Sequence, residues 1–170
     1  MVDSIIVGRI LGANALAAVG ASTSVQFMIL GFCSGICDGF AIPVAQRFGA
    51  GDCGKMRTFL YHAILLTLGI ALVLTTSTVL LTGQIIQLLN VSDEIAKDAI
   101  LYLRIIFLGL PFTLFYNLQA SLLRAVGNSR TPFLFLLASA IINIFLDLFC
   151  VAVLGWGCAG AAIATITSQL

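Results

Sequence analysis

Apolar residues along this chain form long runs separated by short polar segments. Charged residues are absent from 58–92 and occur only singly in three other stretches. These single charges are Asp38 in 13–46, Arg104 in 99–123 and Asp147 in 131–170. Because about 20 apolar residues cross the hydrocarbon core of a bilayer, the pattern predicts an all-α polytopic bundle, one membrane domain over 1–170. The expected helices are 1–11, 15–46, 59–82, 99–124, 132–155 and 158–170.

Composition supports a membrane protein. Hydrophobic residues make up 61% of the chain and charged residues 9%, against about 25% charged residues in a soluble domain. A soluble domain could not cover its surface with so little charge, and the net charge of +1 provides no basic field for nucleic acid. We therefore expect membrane lipid as the surroundings of a multi-pass membrane protein.

The charges between the spans predict the orientation. The loop 47–57 and the turn 124–130 are basic, whereas the loop 93–98 is acidic and the turn 155–157 is neutral. Basic loops remain in the cytoplasm by the positive-inside rule. The alternation therefore places 47–57 and 124–130 on the cytoplasmic side.

Small and polar residues recur at a spacing of four, which places them on one face of a helix. Such stripes allow helices to pack closely in lipid, whereas 59–82 has no such stripe and is expected to face lipid. Pro111 should kink its span. Thr113, Asn117 and Gln169 are candidates for lining an internal cavity. The stripes are Gly31, Gly35 and Gly39; Gly109, Thr113, Asn117 and Ser121; Ser139, Asn143 and Asp147; and Thr165 with Gln169.

Asp147 is the strongest functional candidate, because a carboxyl in mid-membrane costs at least about 2.5 kcal/mol. It lies eight residues before Gly155, or about 12 Å along a helix. Thr165 and Asp3 fall at similar depths, and Asn143 lies one turn deeper than Asp147. Two carboxyls in such a pocket hold a proton or a cation between them. Oxygen ligands suit H⁺ or Na⁺ rather than zinc or copper, so Na⁺ at Asp147 is the only metal expected.

The remaining singular residues give weaker signals. His62 is expected at the membrane interface, and Arg104 is expected either to extend toward the outer boundary or to pair with an acidic loop residue. Asp38 has two open interpretations: it caps a neighbouring helix or it lines an entrance. The five cysteines, an odd number, are expected to be packing residues rather than a disulfide framework.

Several short motifs, in order along the chain, resemble the multidrug and toxic compound extrusion (MATE) transporters, in particular the prokaryotic branch related to the DNA-damage-inducible protein. Each motif alone is weak, but together they cover the whole chain. The motifs are Val2-Asp3-Ser4 with Val7-Gly8-Arg9, Ala15-Leu16-Ala17-Ala18-Val19-Gly20, Pro43-Val44-Ala45-Gln46 with Gly49-Ala50-Gly51-Asp52, Leu123-Arg124-Ala125 with Gly127-Asn128 and Pro132, Ile142-Asn143 with Leu146-Asp147, and Gly160-Ala161-Ala162 with Ala164-Thr165 and Ser168-Gln169.

The resemblance implies a twelve-helix antiporter built from two six-helix repeats. This chain would be the first repeat, truncated at both ends, and the second bundle of the same polypeptide would be missing. The family's cation site maps onto Asp3, Asn143, Asp147 and Thr165. The expected function is cation-coupled export of small organic, cationic or amphipathic molecules by alternating access, with H⁺ or Na⁺ as coupling ion, no other cofactor and no enzymatic activity.

Three alternatives remain at this stage. A purely structural membrane subunit would have no use for Asp147, and the other two alternatives are functional. One is a lipid-linked saccharide flippase of the same superfamily, which would need more basic residues in its cavity than Arg104 alone. The other is an intramembrane aspartyl protease, since Gly49-Ala50-Gly51-Asp52 matches the Gly-x-Gly-Asp pattern of those enzymes. Proteolysis would need Asp52 and Asp147 close together, whereas the expected topology separates them by most of the bilayer.

Overall fold

A computed structural model describes residues 13–89, 93–154 and 156–169. A chain in lipid must satisfy its backbone polar groups internally, and the described residues are accordingly helical, with no strand among them. The all-α fold class is thus confirmed, while the expected helix 1–11 lies outside the described residues. The helices are α1 (Ala13–Gly49), α2 (Cys53–Leu88), α3 (Asp93–Leu108), α4 (Leu110–Ala125), α5 (Arg130–Asp147) and α6 (Gly157–Ser168), and a π-helical segment, Leu148–Val153, follows α5.

Among the described residues, three stretches are long and apolar enough to cross a membrane, and they lie in α1, α2 and α5 with its π-helical segment. Helices α3 and α4, bent by 45° at Gly109, are together long and apolar enough for a fourth span. Pro111 stands in the first turn of α4, where its missing N–H costs no helical hydrogen bond. The kink expected at Pro111 therefore takes the form of a break between two helices.

Short turns join the helices at the end of the bundle that the charge pattern assigns to the cytoplasm. Gly51 has φ +70°, a left-handed conformation that glycine adopts without strain. Asp52 then caps α2, because its side chain accepts a hydrogen bond of 3.1 Å from the Lys55 N–H. The same turn contains a Lys55–Asp52 ion pair of 3.4 Å.

The core lies where α4 packs against α1 and α2, and it extends to α3, which packs against α1, α2 and α6. Leu114 and Leu118 of α4 are wholly buried there, as are Cys33 and Cys37 of α1. The Cys37 thiol lies 3.6 Å from the carbonyl oxygen of Leu114. Four of the five cysteines are buried and all are free thiols, as expected for packing residues.

The structure qualifies two expectations about helix faces. Gly31, Gly35 and Gly39 are exposed, and a Cβ added at each would meet nothing within 4 Å. The glycine stripe therefore lies on the outside of α1 rather than against another described helix. Conversely, α2 has many exposed leucines but also buries a stripe of small residues and threonines. This stripe is Ala63, Thr67, Ala71, Thr78 and Thr82.

Candidate functional site

Asp147 is the last residue of α5 and is wholly buried, with 0% of its surface exposed. Asn143, one turn earlier on the same face, is half-buried. Another turn earlier, the Ser139 hydroxyl donates to the backbone carbonyl of Ser168 at 2.5 Å. This bond places the polar face of α5 against α6.

Helix α6 contributes the second side of the candidate cation site. Thr165 is half-buried and donates its hydroxyl hydrogen to the Ala161 carbonyl at 2.9 Å. A threonine hydroxyl oxygen can also accept a hydrogen bond or coordinate a cation. Of the four residues expected to form a cation site, the structure thus places Asn143, Asp147 and Thr165 on two helices that pack together. Asp3 lies outside the described residues.

The helix changes geometry immediately beyond Asp147. Residues Leu148–Val153 form a π-helical segment, a rare geometry that often marks functional sites. Gly160 of α6 packs against this segment so closely that an added Cβ would lie 3.2 Å from the carbonyl oxygen of Cys150. The α6 helix therefore approaches α5 by backbone-to-backbone contact just beyond the buried carboxyl.

A cleft of about 640 Å³ opens between α4, α5 and α6. Four aromatic side chains and four polar side chains contribute to its wall. The Tyr116 hydroxyl donates to the Pro132 carbonyl at 3.3 Å, which fixes one aromatic ring. The aromatic residues are Phe112, Phe115, Tyr116 and Phe135, and the polar residues are Gln119, Ser139, Ser168 and Gln169.

The three expected cavity residues form a hydrogen-bonded chain beside this cleft. The Thr113 hydroxyl donates to Oε1 of Gln169 at 2.5 Å, and Nδ2 of Asn117 donates to the Thr113 carbonyl at 2.9 Å. The Ser34 hydroxyl of α1 donates to Oδ1 of Asn117 at 3.4 Å. Gln169 lines the cleft directly, whereas Thr113 and Asn117 connect it to α1.

The aromatic wall was not predicted from the sequence. Phe112, Phe115, Tyr116 and Gln119 recur at spacings of three and four, the interval that places helical residues on one face. That signal was present, but aromatic residues at this spacing are equally expected on a lipid-facing surface. Only the position of α5 and α6 shows that they line a cleft.

Asp52 is fully engaged as a helix cap. The backbone hydrogen bond from Lys55 lowers the pKa of its carboxyl, and the Lys55 and Arg47 charges lower it further. An ionised capping carboxylate in a loop is not a second member of a catalytic aspartate pair.

Comparison with known proteins identifies the family. The family model MatE matches residues 1–149. The chain is 30% identical to the probable multidrug resistance protein YpnP of Bacillus subtilis, over 99% of this chain and 38% of that protein. It matches the solved inward-facing conformation of a multidrug resistance MATE family transporter with a TM-score of 0.94 at 28% identity, over 99% of this chain and 38% of the other.

The outward-facing conformation of a multidrug resistance MATE family transporter also matches, with a TM-score of 0.92 at 28% identity, over 98% of this chain and 37% of the other. The chain thus spans less than two-fifths of the length of the proteins it resembles. The family model, the sequence relatives and the solved structures agree, and the chain belongs to the MATE family of membrane transporters.

Proposed function

We propose that this chain acts as one helix bundle of a cation-coupled exporter of small organic molecules in a prokaryotic inner membrane. Asp147 exchanges the coupling cation, with Asn143, Thr165 and Asp3 as further oxygen ligands. The observation that carries the proposal is the complete burial of the Asp147 carboxyl inside a membrane helix.

Burial of this carboxyl is costly and therefore needs a reason. A carboxyl at the centre of a bilayer costs at least about 2.5 kcal/mol, and replacement by a small apolar residue would avoid the cost. A cation or proton bound at Asp147 neutralises the charge, and the oxygens of Asn143 and Thr165 replace part of the cation's hydration shell. Both H⁺ and Na⁺ accept oxygen ligands of this kind.

The adjoining cleft supports an organic substrate. Its volume of about 640 Å³ lies within the range of about 300–1,000 Å³ that is typical of small-molecule sites. Phe112, Phe115, Tyr116 and Phe135 offer faces to flat rings and to organic cations. Ser139 and Gln169 supply a few orienting hydrogen bonds.

The saccharide flippase lacks support in this cleft. A lipid-linked sugar carries phosphate, which arginine and lysine bind best, yet no Lys or Arg lines the described walls of the cleft. The proteolytic alternative is wrong, because members of this family are transporters and not enzymes.

Cation binding is coupled to substrate export if the bundle takes part in two conformational states that have different affinities for the cation. An ion shifts a conformational equilibrium only through its differential affinity for the two states. The likeness of this bundle to both inward-facing and outward-facing transporters fits a bundle that moves largely as a unit. Each tenfold cation gradient is then worth about 1.4 kcal/mol toward substrate export.

The test uses the complete gene product that contains this chain, reconstituted in vesicles with a fluorescent organic cation as substrate. Asp147→Asn keeps the shape of the side chain but removes the exchangeable charge, so export driven by an imposed H⁺ or Na⁺ gradient should disappear. Asp52→Asn is the matched control, because asparagine also caps helices, and it should export normally. Gradient-driven export by Asp147→Asn at the wild-type rate would contradict the proposal.

A further inference from the structure

Asp38, on α1, makes two hydrogen bonds to α4. Its Oδ1 accepts from the Ser121 hydroxyl at 2.6 Å and from the Arg124 guanidinium at 3.1 Å. The same guanidinium nitrogen donates to Ser121 Oγ at 2.8 Å. We call Asp38, Ser121 and Arg124 the Asp38 cluster.

The cluster holds a helix end that is poorly packed on two sides. The segment 119–126, which we call the α4 end, borders the 640 Å³ cleft on one side. On another side it borders a pocket of about 260 Å³ formed with Val44 of α1 and Leu60 of α2. Gln119 and Leu123 line both spaces, so these two side chains form the partition between them.

The packing of α4 differs between its faces. Leu114 and Leu118 are wholly buried in the core, which fixes the first part of the helix. Beyond Leu118, Ala120 and Ser121 are still buried, whereas the face that carries Gln119 and Leu123 borders the two spaces, which lack packing atoms. The Asp38 cluster is the polar tie that connects this end to α1.

The ion pair in the Asp38 cluster breaks easily. The side chains of Arg124 and Asp38 are 50% and 61% exposed. Water screens an ion pair with this exposure, so the pair contributes little to stability. Ser121, by contrast, is buried, and its hydroxyl keeps the carboxylate and the guanidinium aligned while the tie is closed.

We propose that the α4 end is a gate to the cleft and that the Asp38 cluster is its latch, an inference that rests on the proposed role of the cleft as the substrate site. When the latch opens, Gln119 and Leu123 move aside and the 260 Å³ and 640 Å³ spaces join. The substrate then enters the cleft from the end of the bundle that carries the turns 50–52 and 126–129. Asp38 lines this entrance, one of the two interpretations that its sequence position left open.

The movement is local, so it is compatible with a bundle that otherwise keeps its shape. It involves the last two turns of one helix and the turn that follows. Gly127 in that turn has φ +85°, and Oδ1 of Asn128 accepts a hydrogen bond of 3.2 Å from the Thr131 N–H in the first turn of α5. Helix α5 and Asp147 can therefore remain in place while the α4 end moves.

A reversible cross-link tests whether the latch must open. In the complete gene product, with the exposed Cys53 replaced by Ser, Asp38→Cys and Ser121→Cys are combined and oxidised, and the cross-link is verified by mass spectrometry. Export should fall by an order of magnitude or more on oxidation and return after reduction. The two single variants, treated with the same oxidant, serve as controls and should show no such loss. An unchanged export rate in the cross-linked protein would overturn the proposal.

A second measurement reports the gate without using transport. Leu123→Cys places a thiol at the partition, and its rate of reaction with a soluble maleimide measures how often the gate is open. Arg124→Gln should raise this rate several-fold, whereas Arg130→Gln, which removes an exposed charge outside the cluster, should leave it unchanged. Equal rates in the two variants would refute the latch even if the cross-linked protein cannot be made. A rise in labelling together with normal export after cross-linking would instead show a mobile α4 end that is not the substrate entrance.

Discussion

The break between α3 and α4 packs directly on α6, and a single methyl group added at Gly109 probes that contact. A Cβ built there would overlap the Ile166 side chain, with Cδ1 at 2.8 Å, and would lie 3.2 Å from the Ile106 carbonyl oxygen. The backbone itself would tolerate alanine, because Gly109 has φ −78° and ψ −11°. Gly109→Ala therefore isolates the packing contact from any backbone strain.

Two effects of opposite sign decide the outcome. Overpacking a filled core costs about 1–3 kcal/mol, whereas replacing glycine by alanine in a helical conformation gains about 0.5–1 kcal/mol. The Ile166 Cγ1 atom lies close to its own backbone and cannot move far, so the packing cost should win. We expect Gly109→Ala to lower the free energy of unfolding by about 1–2 kcal/mol.

The assay is unfolding of the purified protein in mixed micelles by titration with sodium dodecyl sulfate. Gly69→Ala is the matched control, because a Cβ at Gly69 meets nothing within 4 Å, and it should raise the stability slightly. Ile166→Ala removes the clashing atoms, so Gly109→Ala should cost nothing in that background. The reasoning is refuted if Gly109→Ala is as stable as the parent, or if its cost is the same with and without Ile166.

Three further predictions follow from single residues. Cys53 is exposed at the start of α2, so an impermeant thiol reagent should label it in inverted vesicles and not in right-side-out cells; labelling from outside would reverse the topology. The lowered pKa of Asp52 means that its cap stabilises the protein above the unfolded pKa of about 3.9 and loses this effect as pH falls through the folded pKa. The stability lost in Asp52→Ala, measured by unfolding across pH, should therefore shrink below about pH 4, and a cost independent of pH would contradict this. The buried Thr67 hydroxyl has no hydrogen-bond partner among the described residues, so Thr67→Val should stabilise by about 1 kcal/mol, whereas Thr82→Val, which removes a 2.7 Å bond to the Thr78 carbonyl, should not.

The fold class could be predicted because lipid leaves few choices. An apolar run of about 20 residues without charge must be helical if it crosses a bilayer. The polar stripes on α4 and α5 were also informative, since Ser121 and Asp147 are buried. Polar atoms avoid lipid, so a polar stripe identifies the inner face of its helix.

Stripes of small residues did not identify the inner face of a helix in the same way. Glycine tolerates both a close helix neighbour and a lipid surface, so the stripe at Gly31, Gly35 and Gly39 did not determine which face of α1 points inward. The threonines of α2 were overlooked for a related reason. The hydroxyls of Thr78 and Thr82 donate to carbonyls one turn earlier in their own helix, so these residues satisfy themselves and pack as small apolar side chains.

Three features of the site depend on tertiary packing, and the spacing of residues alone does not reveal them. The latch needs α1 and α4 side by side, which joins residues 83 and 86 positions apart in the sequence. The cleft needs three helices to splay apart. The π-helical segment after Asp147 replaces an α-helical turn that the apolar pattern fits equally well.

The central claim is that Asp147 exchanges a cation when substrate binds. The most direct measurement is the number of protons or labelled Na⁺ ions released per substrate bound by the purified complete gene product in weakly buffered solution. The account predicts release by the parent protein and by Asp52→Asn, and none by Asp147→Asn even though that variant still binds substrate. Release of as many cations by Asp147→Asn as by the parent would contradict it.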